Sequence, residues 1–120
     1  MELASILVTL DVFGKLEVGD TLTWYGDTAE TPNIQKFGPW RSTRRRYNGD
    51  CRETMLVKVR EVIATALELC GGEDHTRLRL HLLSAMAGLK NLQKTYVTDT
   101  NVVSTLEIVI GDMSLKLSDC

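Results

Sequence analysis

The sequence predicts an α+β domain, with an antiparallel sheet from N- and C-terminal hairpins packed on two central helices. Three observations carry this expectation. Apolar residues alternate at period two near both ends of the chain,. Each alternating region contains a Gly-Asp pair suited to a hairpin turn, Gly19-Asp20 and Gly111-Asp112,. Between them lie two long segments whose apolar residues recur at steps of three and four,. Strands at the ends and helices between them place the helices on one face of a single sheet.

The first strand is expected over Ser5–Phe13, with Ile6, Val8, Leu10 and Val12 on one face,. Gly14 interrupts it, as a bulge or bend does. Alternation resumes at Lys15–Val18, and Gly19 supplies a positive φ before the strand Thr21–Trp24,. The first helix is expected over Arg52–Cys70, with Leu56, Val59, Ile63, Ala66, Leu67 and Cys70 as its stripe. Asp50 and Glu53 form a capping-box pattern, and Gly71-Gly72 stops the helix,. The second helix starts at Asp74 or Thr76 on a stripe of Leu78, Leu82, Ala85, Leu89 and Leu92. Leu80, Leu83 and Ala87 widen that stripe, so this helix is expected to be buried on more than one side. Thr98–Asn101 reads as a turn,. The closing hairpin pairs Val103–Ile110 with Met113–Leu117, placing Leu106, Ile108 and Ile110 on one face, and Met113, Leu115 and Leu117 on the other strand's.

Length and composition bound the function. At 120 residues the chain is one domain, 1–120, large enough to fold without disulfide or metal,. Apolar residues are 43% and charged residues 25%, which excludes a disordered chain,. No apolar run approaches the roughly 20 residues of a membrane span. The N-terminus carries Glu2 and Asp11 instead of the basic region of a signal peptide,. Cys51, Cys70 and Cys120 are an odd, widely spaced set without a CxxC pair,. With no glycosylation sequon present, they point to free thiols and an intracellular protein, cytoplasmic or nuclear,.

No enzyme motif stands out. His75 and His81 are six apart, not the four that aims two rings from one helix at one metal,. Cys51, His75 and a carboxylate offer a nucleophile, a base and an orienter by residue type, but nothing in the spacing joins them,. Glu61 and Glu68 read as a solvated helix face. No cofactor and no metal are expected, and the protein is expected not to be an enzyme.

Residues 26–50 are the unusual part, because so long a segment without periodicity is uncommon in a compact domain. Six acidic residues and one basic residue precede Lys36. Then Lys36, Arg41, Arg44, Arg45 and Arg46 follow with no acid before Asn48. Five of the seven aromatics, Trp24, Tyr25, Phe37, Trp40 and Tyr47, lie between 24 and 47. Guanidinium groups bind phosphate bidentately, and flat rings stack on bases or anchor at a membrane interface. Lys36, Trp40, Arg41, Arg44, Arg45, Arg46 and Tyr47 are therefore the candidate anion-binding residues, with RNA or an acidic membrane as partner. The plainer alternative is a solvated loop whose cations pair with the acidic N-terminal third and whose rings pack beneath it.

Self-association is also expected, by default as a two-fold homodimer. The strand Val102–Ile110 offers a long apolar edge, and the second helix asks for more cover than one sheet gives,. A module recognising a protein partner, of the kind small viral accessory or matrix-like proteins provide, is the competing function. Met55–Leu67 resembles a helix of rhabdovirus matrix proteins over thirteen residues. The resemblance carries no site residue; the class of small self-associating proteins with a basic loop, which virion assembly proteins also display, is reached independently of it.

Overall fold

The computed structural model describes residues 3–24, 40–43, 52–70 and 75–118. In chain order these form α1 (Leu3–Gly14), β1 (Thr21–Trp24), β2 (Trp40–Thr43), α2 (Arg52–Leu69), α3 (His75–Thr95) and α4 (Thr100–Ser118). The expected sheet of terminal hairpins does not form. Helices replace it at both ends, and the strands described are one antiparallel ribbon of β1 with β2.

Helix α1 occupies the predicted first strand. Ile6, Leu7, Leu10 and Phe13 are buried, whereas Ala4, Ser5, Val8 and Asp11 are exposed. That is a helical stripe, and it buries Leu7 and Phe13, which the alternating pattern assigned to the opposite face from Ile6. The buried Thr9 is satisfied locally, its hydroxyl donating to the Ser5 carbonyl at 2.9 Å,. Lys15 and Asp11 add an exposed i, i+4 ion pair at 3.0 Å,.

The turn at Gly19-Asp20 forms, but it joins a helix to a strand. Gly19 has φ 101°, a conformation that glycine adopts without steric cost. The Glu17 amide donates to Asp20 Oδ2 at 2.9 Å, while the Asp20 amide donates back to the Glu17 carbonyl at 3.0 Å. The Gly19 amide donates to Thr95 Oγ1 at 2.8 Å, tying the turn to the end of α3.

Helix α2 buries the predicted Leu56, Val59, Ile63 and Ala66, with Met55 and Val62 beside them and Leu67 partly covered. Its expected cap at Asp50 and stop at Gly71-Gly72 lie outside the described residues. Helix α3 buries Leu78, Leu82, Ala85, Leu89 and Leu92. Leu80, Leu83 and Ala87 do not widen that stripe, because they face solvent. Cover comes instead from α1 and α4, which both pack on α3, while α2 packs on α4 and β1 on α2.

Helix α4 runs through the predicted closing hairpin. Val102, Leu106, Val109, Met113 and Leu117 are buried at helical spacing, while Ile108 is 57% and Leu115 71% exposed. Asp99 starts the helix: its Oδ1 accepts from the Val102 amide at 3.2 Å, as an N-cap does,. Asp99→Ala is expected to cost about 1 kcal/mol, lowering the melting temperature by roughly 4 °C, with Asp99→Asn nearly neutral. Arg79 of α3 donates to the Leu117 carbonyl, placing a cation at the negative end of α4,.

Gly111 separates the two readings of this region. In α4 it is exposed, and a Cβ built on it has open space. Gly111→Ala is therefore expected to raise stability by up to about 1 kcal/mol. A hairpin glycine at positive φ would make the same change destabilising, so the denaturation midpoint of this variant reports directly on the helix.

Candidate nucleic-acid interface

The basic-aromatic segment enters the described structure through β2. Its register with β1 pairs Thr21 with Thr43, Leu22 with Ser42, Thr23 with Arg41 and Trp24 with Trp40. The ribbon is anchored by β1, whose Thr21 and Leu22 are buried and which packs on α2 and α3. Thus two residues of the candidate set, Trp40 and Arg41, stand on a strand pinned to the helical core, and Trp40 is brought into register with Trp24. Lys36, Arg44, Arg45, Arg46 and Tyr47 lie outside the described residues.

Cys51 and the His75 side chain lie outside the described residues, while Cys70 is buried in the core. His81 Nδ1 lies 3.0 Å from the Arg77 carbonyl of its own helix. Among the described residues no group of three or more His, Cys, Asp or Glu could hold a metal ion. Among them no helix is long and apolar enough to cross a membrane.

A second surface feature escaped the sequence reading. An open groove of about 420 Å³ runs between α2 and α4. Ile63, Leu67 and Val109 supply apolar lining, Leu115 stands exposed beside them, and Arg60, Glu68, Asp112 and Lys116 carry charge. The expected hairpin hid it, since a strand pattern places Leu115 with the buried Met113 and Leu117. The available signal was the helical spacing of Val109 and Lys116 against Arg60, Ala64 and Glu68.

Compared with protein-family models, curated proteins and solved structures, the chain matches none. The likeness of Met55–Leu67 to a matrix-protein helix therefore rests on those residues alone.

Proposed function

We propose that this chain is a non-enzymatic, self-associating binding domain whose segment 36–47 contacts single-stranded RNA. The observation that carries the reading is the segregation of charge and rings: five cations and no carboxylate within 36–47, with five of seven aromatics between Trp24 and Tyr47. The ribbon supports it, because it holds Trp24 and Trp40 in register on a strand anchored to the core. Stacking on an aromatic side chain contributes about 1–3 kcal/mol per base. Five cations neutralise few phosphates, so avidity from a second copy is part of the reading.

The test is binding of a labelled single-stranded RNA at two salt concentrations, to wild type and to a variant with Arg44, Arg45 and Arg46 changed to Ala. The expected result is salt-sensitive binding, weakened about tenfold or more by the triple change, with the salt slope reduced by about 2. Binding indifferent to both salt and the arginines removes the reading. Stronger capture by anionic vesicles than by RNA moves the partner to an acidic membrane.

The reasons for self-association change with the structure. The strand edge over Val102–Ile110 does not exist, and the Leu78–Leu92 stripe of α3 is covered within the chain. The groove between α2 and α4 takes their place.

A further inference from the structure

We propose that the α2–α4 groove is a two-fold interface with a second copy of this chain, in which Arg60 meets Glu68 of the partner subunit and Glu68 meets Arg60 of the partner subunit. This rests on the self-association part of the reading above and assigns it a surface. Arg60, Ala64 and Glu68 stand one turn apart along α2, about 6 Å per step. The two opposite charges are therefore placed symmetrically about Ala64. A two-fold axis through Ala64 reverses the partner's helix and lays each cation against an anion. Ala64 is exposed and small, so the two helices can approach closely at that point.

Charge is only half of the complementarity. Leu115 is 71% exposed beside the groove, while Ile63 and Val109 line it as buried apolar surface. One surface thus supplies both a projecting apolar side chain and a depression to receive it, as an isologous contact requires. Asp112 and Lys116 add one further charge of each sign, so two copies meet without net repulsion. None of Arg60, Glu68, Asp112 and Lys116 makes an ion pair among the described residues, although Lys58 and Glu61 on the same helix do at 3.4 Å.

Sedimentation equilibrium on the full chain tests the interface with Arg60→Glu, Glu68→Arg, the double exchange Arg60→Glu/Glu68→Arg, and Leu115→Asp. All three positions are exposed, and circular dichroism checks that each variant keeps its helices. Wild type is expected to dimerise. Each single charge reversal sets like charges together twice and raises the dissociation constant about tenfold, while the double exchange restores it to within about threefold. Leu115→Asp raises it as well. A dimer whose constant is unmoved by all four variants overturns this interface and leaves self-association standing elsewhere. A wild type that stays monomeric to ~100 µM overturns both, and the groove then belongs to another occupant. The RNA assay is read separately.

Discussion

Gly88→Ala is expected to lower the stability of this fold by about 3 kcal/mol or more, on the order of 10 °C in melting temperature. Gly88 lies where α3 passes the end of α1. A Cβ built there would fall 2.7 Å from the carbonyl carbon of Phe13 and 3.2 Å from Gly14 Cα, and closer still to the Phe13 oxygen. These are backbone atoms, so no side-chain rotation relieves the overlap. Helix propensity points the other way, favouring alanine over glycine by about 1 kcal/mol. The clash wins because the two helices must move apart, loosening Phe13 and Leu10 of α1 and Leu89 of α3, all fully buried. A urea midpoint unchanged or raised in this variant means that α1 does not approach α3 as described. Gly111→Ala, expected to stabilise, is the matched control within a helix.

Leu82→Asp is expected to abolish the folded state. Leu82 is 0% exposed on α3, the helix that packs against α1, α2 and α4. Losing the buried leucine contacts costs about 2–5 kcal/mol, and an unpaired carboxylate in their place costs several more. A domain of this size has a total stability of about 5–15 kcal/mol, so the sum consumes most or all of it. Leu80→Asp is the comparison. Leu80 is 62% exposed on the same helix, and its replacement is expected to change stability by no more than about 0.5 kcal/mol. Far-UV circular dichroism and thermal melts of the two variants separate these outcomes. A cooperative melt of Leu82→Asp near the wild-type temperature contradicts the packing of α3. Equal effects of the two changes restore the broad buried face that the sequence suggested.

The candidate site was legible in unequal parts. The cations of 36–47 and the rings around them are readable directly, because charge and aromatic content need no coordinates. The anchoring was not. Leu22 and Thr21 alternate in a run predicted as strand, but their partners Ser42 and Thr43 carry no apolar pattern. Pairing is a non-local event, and nothing in β2 alone announces it. The α2–α4 groove was invisible for a further reason. The alternating pattern puts Leu115 and Lys116 on a strand, whereas only the helix α4 brings them to one surface with Arg60 and Glu68.

Two helices were determined locally. In α2 and α3 the apolar residues keep the 3.6 period along the whole segment, whereas the alternation at Arg77–Leu82 is brief, and the predicted stripes Leu56–Val59–Ile63–Ala66 and Leu78–Leu82–Ala85–Leu89–Leu92 are the buried ones,. The positive φ at Gly19 was equally local, set by glycine's freedom in a turn,. Helices α1 and α4 were decided by tertiary structure. Their apolar residues are dense enough to satisfy both periods, and Val, Ile and Thr favour strand when taken alone. Without a neighbouring strand, a helix still satisfies its backbone within itself. Packing on α3 and α2 then buries Phe13, Leu106, Val109 and Met113 and leaves Ile108 and Leu115 outside. Local sequence ranked two conformations almost equally, and the burial available only in the assembled fold chose between them.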